Sequence, residues 1–161
     1  MKKLWVVWVV LAVLFLSGLS GGAALAASPD ASQWVWASHG WQGGAKPVYI
    51  PQGQRVWVDP WDTWSNGSDR LVGPQGYTAS QSTHFMPYCK YPTNYTQSLP
   101  FGRLIAMTWR SNTNYTLYDA GYSRWIKGPG YLYFRMNERD GACLENNYSR
   151  LTVDMYAWFI K

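Results

Sequence analysis

The sequence predicts an all-β domain built as an antiparallel β-sandwich or jelly roll. Little of the chain places apolar residues at helical spacing after a capping signal. Instead, short runs of β-branched and aromatic residues alternate with Gly, Pro, Asn and Ser. About seven such runs with turn-rich connections are typical of an antiparallel sandwich. We therefore expect two layers of sheet around one core.

The candidate strands follow one another between recognisable turns. Residues 56–58 follow a tight turn at residues 51–53, and residues 128–130 form a second strong turn. Two long connections, residues 59–77 and 78–100, lack strand character and are predicted to be binding loops or covers. The predicted strands are residues 33–37, 47–50, 54–58, 104–109, 123–126, 131–136 and 150–159, the last being two strands or one with a bulge.

The first 26 residues have the features of a secretory signal. Lys2 and Lys3 precede an apolar run, residues 4–16, that contains no charge, and Ala24-Leu25-Ala26 forms an A-x-A cleavage site. The alternative is a retained membrane anchor. We expect residues 1–26 to be cleaved and residues 27–161 to form a single periplasmic or secreted domain without membrane insertion.

Net charge and aromatic content bear on whether the chain binds nucleic acid and whether it folds. The chain has 14 Lys+Arg and 9 Asp+Glu, and removal of Lys2 and Lys3 leaves a mature charge near +3 with no basic cluster. This pattern does not support nucleic acid as a partner. Charged residues are only 14% and aromatic residues 17% of the chain, which excludes a disordered protein.

The two cysteines, Cys89 and Cys143, both lie in the mature part. An even pair in an exported chain predicts a disulfide bond between them. The alternative is a pair of buried free thiols.

Carboxylate and amide side chains are concentrated in one short segment between two predicted strands. Calcium binds six to eight oxygen atoms from such groups, from carbonyls and from water. The alternative is a solvated polar turn, in which Asn and Asp are favoured for backbone reasons. The oxygen-bearing residues are Glu138, Asp140, Glu145, Asn146 and Asn147.

Tryptophans are the second chemical signal. Trp57, Trp61 and Trp64 cluster in sequence around two aspartates, and an indole can stack on the apolar face of a sugar. Trp57 is expected in the core, whereas Trp61 and Trp64 are either stacking residues or core. Further upstream, Trp34, Trp36 and Trp41 either seal one end of the sandwich or form another patch.

Catalysis has little support in the sequence. The only histidines are His39 and His84, and no nucleophile or zinc-protease motif occurs. No spacing singles out a carboxylate pair for glycoside hydrolysis. The chain is therefore predicted not to be an enzyme, a small cell-wall glycan hydrolase being the weaker alternative.

Several segments form an ordered set of motifs along the mature chain. In chain order they are Val56-Trp57-Val58, Trp61 with Trp64, the G-P-Q-G of residues 73–76, residues 101–107, 121–126 and 130–138, and Asn146-Asn147 with residues 151–153. Together they resemble the bacterial calcium-dependent galactophilic lectin family of the PA-I type. The chain departs from that family in having Glu138 in place of Asp and Tyr148-Ser149 in place of a small residue and Gly.

The resemblance implies a jelly-roll β-sandwich, galactose-binding-domain-like, with one Ca²⁺ at a loop end. The implied ligands are Glu138, Asn146, Asn147 and main-chain carbonyls near Trp64 and Cys143. The predicted sugar contacts are Asn147, the stacking candidates Trp61 and Trp64, and His84, which is the nearest counterpart of the family's histidine-containing contact segment.

These expectations combine into one predicted function, an exported calcium-dependent carbohydrate-binding (lectin-like) module. Its implied partners are galactose-type glycans, and a homo-oligomer is compatible with the sequence. The alternative is a structural or protein-binding envelope β-sandwich that has lost the sugar site.

Overall fold

The computed structural model describes residues 28–65, 71–77, 99–138, 145 and 147–160. Within these ranges no helix is long and apolar enough to cross a membrane. The described residues form the strands β1 (Ala31–Trp36), β2 (Tyr49–Ile50), β3 (Arg55–Ser65), β4 (Leu104–Ser111), β5 (Asn114–Asp119), β6 (Arg124–Lys127), β7 (Gly130–Met136) and β8 (Tyr148–Tyr156).

The strands form two four-stranded antiparallel sheets. The first sheet has the order β1-β8-β3-β6, and the second has the order β2-β7-β4-β5. Consecutive strands lie in opposite sheets, except that β4 and β5 are neighbours in the second. The predicted antiparallel β-sandwich is thus confirmed, while the jelly-roll assignment stays a prediction.

The core lies between the sheets and follows the two-residue period of the strands. Val56 and Val58 of β3, and Leu151 and Val153 of β8, are fully buried. Side chains of the second sheet, such as Phe134, face them in the same core. Alternate side chains point to opposite faces of a strand, so the intervening residues of β3 and β8 form the outer side of the first sheet.

Strand β3 is longer than the sequence predicted. It continues to Ser65, so the interpretation of residues 59–65 as a loop was wrong. Pro60 cannot donate to a ladder, and proline is therefore tolerated where one side of a strand is open. Among the described residues, β6 pairs with Arg55–Val58 and no strand pairs with that side of β3 at Pro60.

Two other strands differ from expectation. Strand β5 was not predicted, although Tyr115, Thr116 and Tyr118 are residue types that favour strands. Among the described residues it pairs with β4 and forms one edge of the second sheet. The last predicted segment is one continuous strand, β8, paired on both sides.

Several predictions fall on residues that the structure does not describe. They are the signal sequence and its cleavage, the disulfide between Cys89 and Cys143, and the roles of His84, Asp140 and Asn146. All of these stay predictions.

Candidate functional site

Two residues of the predicted calcium site meet at one end of the sandwich. Glu138 follows β7 and Asn147 immediately precedes β8. Asn147 Nδ2 donates to Glu138 Oε2 at 2.6 Å and to Ala37 O at 3.2 Å, so its side chain also reaches the end of β1. Both side chains are buried, with Glu138 fully inaccessible and Asn147 5% exposed. We call this pair the loop-end site.

One oxygen of each side chain at the loop-end site has no hydrogen-bond partner among the described residues. These atoms are Glu138 Oε1 and Asn147 Oδ1, and both are buried. Buried polar atoms are nearly always paired, and an unpaired one costs roughly 1–3 kcal/mol. A carboxylate oxygen and an amide oxygen are both ligands that a hard cation accepts.

Burial also changes the protonation of the site. Desolvation raises the pKa of Glu138 from 4.5 to about 8, while the hydrogen bond from Asn147 and the charge of Arg135 act in the opposite direction. Arg135 is itself buried, and its Nη2 donates to the main-chain oxygen of Glu138 at 2.8 Å. At neutral pH the Glu138 carboxyl is therefore mostly protonated unless a cation stabilises its ionised form.

Glu138 is the one buried acidic side chain among the described residues of this end. Glu145 is exposed, and Asp140, Cys143 and Asn146 lie outside the described residues. Within the described ranges, no group of three or more His, Cys, Asp or Glu side chains could hold a metal ion. From the described residues, a cation at the loop-end site would therefore have one buried carboxylate and otherwise amide and main-chain oxygens as ligands.

Trp64 does not offer a stacking surface. Its ring is fully buried, and its Nε1 donates to Gly102 O at 2.9 Å. Its main-chain N and O both pair with Val72. The expectation that a sugar stacks on Trp64 was therefore wrong, and its indole is part of the core. Its proposed role as a calcium ligand concerns a nearby carbonyl and stays a prediction.

Trp61 is exposed, but it lies away from the loop-end site. It faces Thr152 across the β3–β8 ladder, five residues along β8 from Asn147. At about 3.3 Å per residue, the separation is roughly 16 Å. A single sugar ring could not contact both residues, which corrects the expectation that they bind the same ring.

The outer side of the first sheet carries aromatic residues that sequence reasoning did not assemble into one surface. Trp57, expected in the core, lies here and is half-buried against Trp125, with a centroid distance of 5.3 Å. Only the strand register reveals this surface, because its residues come from four distant segments. We call it the outer aromatic face. It is defined by Trp34, Trp36, Trp57, Trp61 and Trp125 and by the charged residues Arg55, Asp59, Arg150 and Asp154.

No protein-family model matches this sequence, and no curated protein matches it either. The function is therefore inferred from the geometry of the loop-end site and of the outer aromatic face.

Proposed function

We propose that this protein is an exported carbohydrate-binding module that uses a calcium ion at the loop-end site. The observation that carries the proposal is the pair of buried, unpartnered oxygens, Glu138 Oε1 and Asn147 Oδ1. They belong to two side chains that are already hydrogen-bonded to each other. A cation contacting both oxygens would satisfy them together.

The chemistry of these donors favours calcium over zinc. Zinc sites use mainly Cys and His ligands, whereas calcium accepts carboxylate, amide, carbonyl and water oxygens in flexible geometry. Glu138 supplies the anionic ligand once it is ionised, and Asn147 supplies a neutral one. Asn146, main-chain carbonyls near Trp64 and Cys143, and water would complete the shell.

A calcium ion at a loop end can also bind sugar directly. When its coordination shell retains exchangeable positions, two neighbouring hydroxyls of a sugar can replace water. The resemblance to galactophilic lectins makes galactose-type glycans the first ligands to test. The alternation of strands between the two sheets supports the jelly-roll form of the sandwich that this resemblance implies.

The calcium part of the proposal is tested by thermal unfolding of the exported protein in calcium and in chelator. A ligand that binds only the folded state raises the melting temperature. We expect such a rise in the wild type and none in Glu138→Gln.

Asp119→Asn is the control, because it removes the 2.6 Å ion pair with Arg103 and leaves the loop-end site intact. The control should have a lower melting temperature than the wild type and the same rise in melting temperature on addition of calcium. An equal calcium-dependent rise in Glu138→Gln would contradict calcium binding at the loop-end site.

The sugar part is tested on galactose-terminated glycans with and without chelator. We expect binding that requires calcium and is lost in Asn147→Ala. The competing function, a structural or protein-binding envelope module, is favoured by the exposed tryptophans of the outer aromatic face. Absence of both a calcium effect and glycan binding would support that competing function.

A further inference from the structure

We infer that the outer aromatic face is a second binding surface, which takes an extended, uncharged polysaccharide chain without calcium. This surface shares a ligand class with the proposed function but is separate from the loop-end site. The two proposals can therefore fail independently.

The first observation is the concentration of exposed indoles on one side of one sheet. Trp34 and Trp36 of β1, Trp61 of β3 and Trp125 of β6 are 56%, 41%, 50% and 42% exposed. The antiparallel registers place all four on the solvent side of the first sheet, because buried residues such as Val35 and Ile126 alternate with them. Single exposed apolar residues are ordinary, whereas a shared face of them indicates a binding surface.

The second observation is that neighbouring arginines make cation–π contacts with three of these rings. Arg150 Cζ lies 3.4 Å from the ring centroid of Trp34 and 4.9 Å from that of Trp36. Arg55 Cζ lies 4.3 Å from the centroid of Trp125. Cation–π contacts of this kind restrain the indoles before any ligand arrives. A restrained surface loses less conformational entropy on binding.

The third observation is a pair of acceptors beside Trp61. Asp59 and Asp154 lie directly opposite each other across the β3–β8 ladder. Like charges in that position are unfavourable unless donors compensate. Trp61 Nε1 donates to Asp154 Oδ2 at 2.9 Å, and Ser123 Oγ donates to Asp59 Oδ1. These bonds use one oxygen of each carboxylate, and the second oxygen can accept a hydroxyl of a sugar stacked on the indole.

The distribution of charge distinguishes a glycan from other ligands. A nucleic acid also stacks on aromatic rings, but it requires a positive groove, and Asp59 and Asp154 lie at the centre of this face. The core of a protein–protein interface is depleted of charged residues, whereas here Arg150 and both aspartates separate the indoles. An uncharged ligand rich in hydroxyls fits this arrangement best.

The distances between the indoles indicate how long a ligand must be to contact several of them. Trp57, which contacts Trp125, is four residues from Trp61 along β3, or roughly 13 Å. Strands β1 and β6 are the two edges of the four-stranded sheet, roughly 14 Å apart. These distances exceed the size of one sugar ring, so the face suits several consecutive units of a chain.

The β1 edge offers a path by which such a chain can continue. Trp34 and Trp36 also line a cleft of about 640 Å³ whose other side includes Trp41 and Gln42. The Gln42 amide exchanges hydrogen bonds with the main-chain N and O of Trp36, each 2.8 Å long, and so closes the strand edge at that point. Aromatic and amide groups thus continue from the face into the cleft, and its volume is typical of ligand sites.

The test is affinity electrophoresis of the exported protein in gels that contain chelator and a galactan, a glucan or a xylan. Heparin and single-stranded DNA serve as polyanionic probes. We expect at least one neutral polysaccharide to retard the wild type and Glu138→Gln equally. Trp34→Ala and Trp61→Ala should each weaken binding roughly tenfold, since each removes one stacking contact. Trp158→Ala is the matched control, because this indole is 75% exposed and follows β8 outside the sheet.

Several results would overturn the inference. They are no retardation by any of the three neutral polysaccharides, unchanged retardation of both Trp34→Ala and Trp61→Ala, or retention only by the polyanions. Binding that appears only with calcium would also overturn it, while supporting the loop-end site. A cooperative thermal unfolding transition of each variant above the assay temperature shows that a loss of binding does not come from unfolding.

Discussion

The loop-end site and the outer aromatic face use polar groups in opposite ways. At the loop-end site Glu138 and Asn147 are buried, and each has an oxygen without a partner among the described residues. On the outer aromatic face the indoles are exposed, and the nearby carboxylates already accept hydrogen bonds. Binding of a cation at the first site is therefore coupled to the protonation of Glu138, whereas binding of an uncharged chain on the second requires no change in protonation.

The largest expected effect concerns the pH dependence of metal-free stability. Burial raises the pKa of Glu138 to about 8, so the folded state holds this proton to higher pH than the unfolded chain does. The resulting stabilisation is complete below pH 4.5 and is lost as pH rises through about 8. It amounts to at most about 5 kcal/mol. Urea unfolding in chelator between pH 5 and 8.5 should show this decline, and Glu138→Gln should remove most of it. An equal decline in the free energy of unfolding of Glu138→Gln would show that Glu138 does not cause the pH dependence.

The next effect compares two tryptophans of the same strand. Trp64→Ala empties a fully buried position and leaves Gly102 O without its donor, so we expect a loss of roughly 3–5 kcal/mol. Trp61→Ala removes an exposed ring and one hydrogen bond, with a loss of about 1 kcal/mol or less. Chemical denaturation of both variants measures the difference. Equal losses would mean that the two indoles are not divided between core and surface.

A smaller effect is expected at Asn147. Asn147→Ala removes the donor to Glu138 Oε2 and to Ala37 O, a loss that outweighs the relief of its own unpaired oxygen. We expect roughly 1–2 kcal/mol of destabilisation in chelator and no stabilisation by calcium. Asn114→Ala, at an exposed position of β5, is the control and should change neither quantity. Calcium stabilisation that persists in Asn147→Ala would show that the Asn147 side chain does not bind the ion.

The smallest expected effect is on the outer aromatic face. Arg150→Ala removes the guanidinium that contacts Trp34 and Trp36, with a loss of about 0.5–1 kcal/mol. Acrylamide should then quench tryptophan fluorescence more efficiently, because these rings lose their cover. Arg110→Ala, at an exposed position of β4, should leave quenching unchanged. Identical quenching in both variants would show that Arg150 does not order the indoles.

Sequence reasoning predicted the layers of the fold better than the ends of its strands. Alternation of apolar and polar residues identified most of the strands, because that period follows directly from the pleat. It failed beyond residue 58 of β3, where Pro60 indicated a loop. The tolerance of Pro60 depends on where β6 stops pairing, and sequence alone does not contain that information.

The two candidate sites were predictable to different degrees. The loop-end residues are near one another in sequence, so their polar composition already suggested that Glu138 and Asn147 belong together. The outer aromatic face joins Trp34, Trp61, Trp125 and Arg150 through strand register alone. The contrasting burial of Trp61 and Trp64 likewise depends on which face of β3 each occupies.

The most direct test of the calcium site is the number of protons released when calcium binds at pH 7. Calorimetric titrations in buffers of different ionisation enthalpy give this number. A carboxyl with a pKa of about 8 is largely protonated at pH 7 and must ionise to bind the cation. We predict release of roughly 0.9 proton per calcium from the wild type, and none from Glu138→Gln. Calcium binding without proton release, or with the same release from the variant, would contradict a calcium ion on Glu138.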